Sequence, residues 1–175
     1  MMENFKMPYV VAVVAPSTGP SPEQRTVMLA KLKILGTVAK RVNPELGRVV
    51  VEVMPHARDW DAKRKQYVIP WVRDFRRPHE SVVLQSDELP AWCASPGPLV
   101  DYLTQMDPDE VWCLNSLGQT MLGTGPAAKL YREAQSRGLP HYKLWPSWVS
   151  YFDIEAPPAP NPQQPRKKER VLWNR

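Results

Sequence analysis

The segment Tyr9-Val10-Val11-Ala12-Val13-Val14-Ala15, closed by Pro16-Ser17-Thr18-Gly19-Pro20 and continued by Ser21-Pro22-Glu23-Gln24, decides the fold class. A continuous apolar run, rich in β-branched valine and bounded by turn formers, suits a strand buried on both faces, as in a parallel sheet. Ser21 to Gln24 then reads as a helix start. Ser21 caps, Pro22 takes the first helical position, where a missing N–H costs nothing, and Gln24 completes a capping box. Met28, Leu32, Leu35, Ala39 and Val42 recur at helical spacing and lay one apolar stripe on a sheet, with Gly36 weakening the helix modestly.

The alternation continues outward from this unit. Asn43-Pro44 ends the helix, and Arg48 to Met54 (RVVVEVM) reads as a second strand closed by Pro55. Residues 57–77 are amphipathic but charged, and Pro70 is expected to kink or split any helix there. Ser81 to Gln85 is a short third strand, Pro98 to Met106 a helix, and Glu110 to Leu114 (EVWCL) a strong strand. Gly125-Pro126 opens another helix with Ala127, Leu130, Tyr131 and Ala134 on one face, and Gly138 stops it. His141 to Leu144 is the last strand, ended by Pro146. This order predicts an α/β domain over residues 8–155: a three-layer, Rossmann-like, open and mainly parallel sheet with helices on both faces. A flexible N-terminus (1–7) and a disordered, proline-rich basic tail (156–175) flank it.

Charge supports that division. The chain of 175 residues carries +5, with 23 basic and 18 acidic side chains. Arg166, Lys167, Lys168, Arg170 and Arg175 lie in the tail against the single acid Glu169, so the domain itself is close to neutral. Of the 20 prolines, Pro157, Pro158, Pro160, Pro162 and Pro165 crowd the tail. Such a segment buries too little apolar surface to order itself, although Val171, Leu172 and Trp173 form a candidate docking peptide. Cys93 and Cys113 make no disulfide framework, no histidine-cysteine spacing fits a zinc site, and no metal is expected. There is no secretory signal pattern and no run of the roughly 18 apolar residues that a membrane span needs, so a cytoplasmic setting without membrane contact is expected. No pattern identifies a cofactor, and homo-oligomerisation stays open.

In open parallel sheets ligands bind beyond the carboxyl ends of the strands. Three loops emerge there: Pro16 to Ser21, Pro55 to Asp61, and Asn115 to Gly125. The third (NSLGQTMLGTG) joins a strand directly to a helix. Its glycines let backbone approach an anion, and free amides at a helix start attract phosphate. Ser116, Gly118, Gly123, Thr124 and Gly125 are the expected phosphate contacts, with Ser17, Thr18 and Gly19 as the other wall. Asp59 and Asp61, beside His56 and Arg58, are placed to take a ribose hydroxyl, although acids in a first helical turn also need no ligand to explain them. The loop is neither a P-loop nor the G-x-G-x-x-G fingerprint.

Residues 107–146 (DPDEVWCLNSLGQTMLGTGPAAKLYREAQSRGLPHYKLWP) resemble the SLOG superfamily, the Rossmann-like group that holds cytokinin-activating phosphoribohydrolases and their bacterial and phage relatives. The likeness rests on an aspartate, an apolar strand, a Gly-Thr loop, a helix, and Gly138-Leu139-Pro140 before the next strand. Weaker similarity covers His56 to Trp71 and Trp92 to Met106. The resemblance implies a nucleotide or nucleotide-derived ligand at the sheet's carboxyl edge. It also implies a glutamate three residues beyond the Gly-Thr pair for hydrolysis, and here that position is Ala127. The first-strand loop lacks the family's Gly-Ser.

Two further readings stay open. One is an enzyme that cleaves or transfers an N-glycosidic bond with a displaced carboxylate: Glu52, Asp59 or Asp87, with Glu133 less well placed. The other is an interaction protein whose tail, Arg166 to Arg170, binds nucleic acid or an acidic partner. Lys63, Arg64, Lys65, Arg73, Arg76 and Arg77 read as a solvated basic face that also suits a phosphate or an acidic partner. Cys93 and Cys113 lack an activating histidine in sequence and read as core. Most of the seven tryptophans, among them Trp60, Trp71, Trp92, Trp112, Trp145 and Trp148, read as core rather than as base-stacking platforms.

Overall fold

The computed structural model describes residues 7–16, 19–55, 60–61, 66–67, 71–72, 75–86, 91–93, 95–115 and 125–147. In chain order its strands and α-helices begin with β1 (Tyr9–Ala15), α1 (Pro22–Val42), β2 (Val49–Pro55), β3 (Trp60–Asp61), β4 (Gln66–Tyr67) and β5 (Val82–Ser86). Next are α2 (Pro96–Met106), β6 (Glu110–Leu114), α3 (Gly125–Ser136) and β7 (Tyr142–Trp145). Five strands form one sheet in the order β5-β2-β1-β6-β7, and every pair in it is parallel. The fold is the Rossmann-like α/β sandwich that the strand–helix alternation predicts.

Alternating side chains of β1 feed two cores. Val11, Val13 and Ala15 join Val49, Val51, Val53, Trp112, Leu114 and Trp145 under Val27, Met28, Leu32 and Ala39 of α1, with Trp71 and Phe75 beside them. Ala12 and Val14 join Met54, Val111, Cys113 and Tyr142 under Leu99, Val100 and Leu103 of α2 and Ala127, Leu130 and Ala134 of α3. Helices therefore cover both faces.

The ends of α1 and α3 are set as their residues dictate. Ser21 Oγ accepts the Gln24 N–H at 3.1 Å, and Gln24 Oε1 accepts the Ser21 N–H at 2.9 Å, which closes the expected capping box. Gly138 takes φ 71°, and the Leu139 N–H turns back to the Ala134 carbonyl at 3.1 Å. α2 begins two residues before the sequence reading, at Pro96, after an extended Ser95.

Within residues 57–77, where Pro70 is expected to kink or split any helix, Trp60–Asp61 pairs antiparallel with Gln66–Tyr67, so those four positions are extended. Trp60 and Tyr67, both β-forming residues, suit that pairing. Gly36 is also more than a weak helix former. A Cβ there would stand 2.9 Å from the His79 ring and 2.9 Å from Val82 Cγ2, so the missing side chain sets how closely α1 approaches β5.

Among the described residues no helix is long and apolar enough to cross a membrane. The N-terminal six residues and the proline-rich tail lie outside the described residues.

Candidate functional site

From β1 the chain adds β2 and then β5 to one side, and only afterwards places β6 on the other side of β1. The strand order thus reverses between β1 and β6, and the crevice beyond their carboxyl ends is where open α/β sheets hold ligands. Its described rim is a connected polar network. Gln24, fully buried in the first turn of α1, donates through Nε2 to the carbonyls of Asn115 (3.1 Å), Trp145 (3.0 Å) and Pro146 (3.1 Å). Ser21 Oγ donates to the Ser147 carbonyl at 2.7 Å, and the Asn115 N–H donates to the Trp145 carbonyl at 2.9 Å.

This network leaves α1 few donors for an anion. Pro22 has no N–H, the Gln24 N–H goes to Ser21 Oγ, and the Arg25 N–H goes to the Ser21 carbonyl. Glu23 adds a negative side chain to the same turn. Gly19 gives its N–H to the Pro16 carbonyl at 2.8 Å and adopts φ 91°. A Cβ at Gly19 would stand 2.9 Å from the Trp71 ring, so packing alone accounts for glycine at this position.

Asn115 behaves differently. Asn115 is 1% exposed, and among the described residues neither its Oδ1 nor its Nδ2 has a hydrogen-bond partner. Leaving buried polar atoms unpaired costs about 1–3 kcal/mol per group, and native proteins rarely do so without reason. This amide sits directly after β6, beside the reversal of strand order. Gly125, the first residue of α3, has φ 91°, which glycine adopts without strain.

Ser17, Thr18, Asp59, Ser116, Gly118, Gly123 and Thr124 lie outside the described residues, as do His56, Arg58, Lys63, Arg64, Lys65, Arg73 and Asp87. Asp61 is described only as a backbone position of β3. Arg76 and Arg77 are exposed. Ala127 is fully buried in a cluster with Val14, Leu130 and Cys113, so its methyl group is sealed in the core.

The carboxylates weighed as displaced catalysts have other company. Glu52 lies midway along β2, in register with Ala12 and Gln85. Gln85 Nε2 donates to its Oε2 at 2.8 Å, while its Oε1 is buried and has no partner among the described residues. Glu133 accepts from Arg137 Nε at 3.0 Å, one turn along α3. Cys93 and Cys113 are buried on the α2–α3 side, and burial pushes both thiols up, which opposes thiolate chemistry. Trp71, Trp112 and Trp145 fill the core, whereas Trp92 is 51% exposed against Tyr102. Among the described residues no three metal-binding side chains come together.

Sequence reasoning saw Gln24 only as a helix cap and missed it as the tie across the rim. The signal was present: Gln24 stands four residues before Met28 on the buried stripe, where a polar side chain needs partners. Asn115 carried a weaker signal, as a polar residue directly after an apolar strand. The chain matches no protein-family model, no curated protein and no solved structure.

Proposed function

We propose that the chain binds a nucleotide or nucleotide-derived ligand in the crevice between the carboxyl ends of β1 and β6. Asn115 carries this reading. Its buried side chain holds one acceptor and two donors with no partner among the described residues, and a purine or pyrimidine edge offers the complementary set. Phosphate then falls to the loop that enters α3 rather than to α1, whose first-turn amides are largely consumed. The resemblance of residues 107–146 to the SLOG superfamily supports the same ligand class. Ala127, in place of that family's glutamate, favours binding without hydrolysis.

Isothermal titration of nucleoside monophosphates into the full chain tests the reading, with the ligand recovered afterwards by chromatography. The expected result is binding with the ligand recovered intact, weakened at least about tenfold by Asn115→Ala, the equivalent of about 1.4 kcal/mol. Removing an unpaired polar group should leave the free variant as stable as the parent. An affinity untouched by Asn115→Ala, or no binding at all, defeats the assignment. Release of free base defeats the non-hydrolytic part.

A further inference from the structure

A second opening lies on the α1 face of the sheet, away from the crevice. α1 crosses that face diagonally. Its first turn is bonded over the ends of β6 and β7 through Gln24, whereas Gly36 lies against His79 and Val82, and Lys40 pairs with Glu80 beside the start of β5. The diagonal leaves the first halves of β6 and β7 without a helix above them among the described residues. A cavity of about 320 Å³ opens there, lined in part by Tyr9, Glu110, Trp112, Lys143 and Trp145.

The cavity is electrically polarised along the strands. At the strand starts, Glu110 is fixed by two neutral donors: the Tyr9 hydroxyl at 2.6 Å on Oε2 and Trp112 Nε1 at 2.9 Å on Oε1. Asp109, beside it, accepts the Val10 N–H at 2.8 Å. Each carboxylate oxygen so engaged keeps a second lone pair for another donor. Further along, Lys143 is in register with Trp112, two residues beyond Glu110, and Trp145 is in register with Leu114. Lys31 of α1 also lines this cavity. The Trp145 ring is fully buried and stacked on Trp112 at 4.7 Å, yet its Nε1–H has no acceptor among the described residues.

An unpaired buried donor on the wall, negative charge at one end and an amine toward the other describe the complement of a small zwitterion. Two residues along a strand span about 6.6 Å. That is near the distance between two protein groups that each hydrogen-bond one end of an α-amino acid. The volume lies at the lower end of small-molecule sites, roughly 300–1,000 Å³, and suits one compact molecule. We propose that this cavity binds a free α-amino acid, its ammonium held by Glu110 and Asp109 and its carboxylate by Lys143 and the Trp145 indole N–H. The site is separate from the crevice and stands or falls independently of the nucleotide reading.

Thermal melts of the full chain with each common L-amino acid at up to about 10 mM provide the test, since a ligand that binds only the folded state raises Tm by mass action. The amide and the N-acetyl derivative of the best binder are then titrated beside it. At least one amino acid should raise Tm in a concentration-dependent way, and both blocked forms should bind at least about tenfold more weakly. Trp145→Phe removes the N–H together with some ring volume, so its affinity is read against the Tm of the free variant and should fall about tenfold. Lys143→Met, an exposed change that leaves the core intact, should weaken binding similarly. The proposal is overturned by a screen with no binder, by an N-acetyl or amide derivative that binds as well as the free amino acid, or by an affinity indifferent to both substitutions.

Discussion

Gln24 and Asn115 are 91 residues apart in sequence, and the side-chain amide of the first donates to the backbone carbonyl of the second at 3.1 Å. The same nitrogen reaches the carbonyls of Trp145 and Pro146, so one side chain joins the first turn of α1 to the ends of two strands. Gln24→Leu keeps the approximate volume and removes every one of these bonds. Each buried carbonyl left without a donor costs about 1–3 kcal/mol, and carbonyls retain some satisfaction through a second lone pair. The expected loss is about 2–3 kcal/mol in urea unfolding. A loss below about 0.5 kcal/mol would mean that the network contributes nothing beyond shape.

Gly36 and Gly97 make a matched pair of helical glycines. Gly→Ala in a helix gains up to about 1 kcal/mol from propensity. At Gly97 the new methyl meets Arg137 Nη2 at 3.6 Å, an ordinary contact, but Pro98 follows, and a Cβ before proline crowds the ring in helical backbone, so Gly97→Ala should stay within about 0.5 kcal/mol of the parent. At Gly36 the methyl meets the His79 ring and Val82 at 2.9 Å, and overpacking costs about 1–3 kcal/mol. Gly36→Ala should therefore destabilise by clearly more than Gly97→Ala. Equal shifts of Tm for the two variants would show that α1 retreats from β5 without penalty.

The sheet was legible because its strands announce themselves. YVVAVVA and EVWCL are apolar runs closed by turn residues, and the Ser21-Pro22-Glu23-Gln24 start has one common structural meaning. At the described positions of residues 57–77, charge spacing that resembles a helix gives way to the short-range pairing of Trp60 with Tyr67. The site was less legible for a different reason. Gln24 meets Asn115 and Trp145 only through contacts spanning 91 and 121 residues of sequence, and local patterning carries no record of those. Likewise Glu110 reads in sequence as a strand-edge acid. Its bond to Tyr9 depends on the register of β6 with β1, whereas its bond to Trp112 is local, two residues along the same strand.

His141 gives the fold a pH dependence with a definite sign. Burial lowers its pKa from the usual 6.5, against the opposing pull of Asp107 and Asp109. The unfolded chain therefore takes up a proton at a higher pH than the folded one, and the folded state loses stability as pH falls below about 6.5. The loss stops once pH has passed below the folded value, where both states are protonated. His141→Gln removes this contribution, so urea midpoints should fall less steeply for the variant than for the parent between about pH 7 and pH 5. A steeper fall for the variant would mean that the histidine is stabilised as the cation.

Ala127 tests whether the hydrolytic machinery implied by the family resemblance can be restored by a single change. The position is fully buried on the sheet side of α3, in a cluster with Val14, Met54, Leu103 and Cys113. A glutamate there must place a carboxyl in apolar surroundings, where it is expected to stay protonated or force α3 away from the sheet. Both outcomes are costly, and the added volume brings its own strain of about 1–3 kcal/mol. Ala127→Glu should therefore lose about 3 kcal/mol or more and gain no glycosidic cleavage. Ala127→Leu separates the two terms, because it adds bulk without a carboxyl and should lose less. Urea unfolding of both variants, together with chromatography of a nucleoside monophosphate incubated with each, provides the measurement. A stable Ala127→Glu chain that releases free base would show that α3 turns this position toward a ligand, contrary to the packing described.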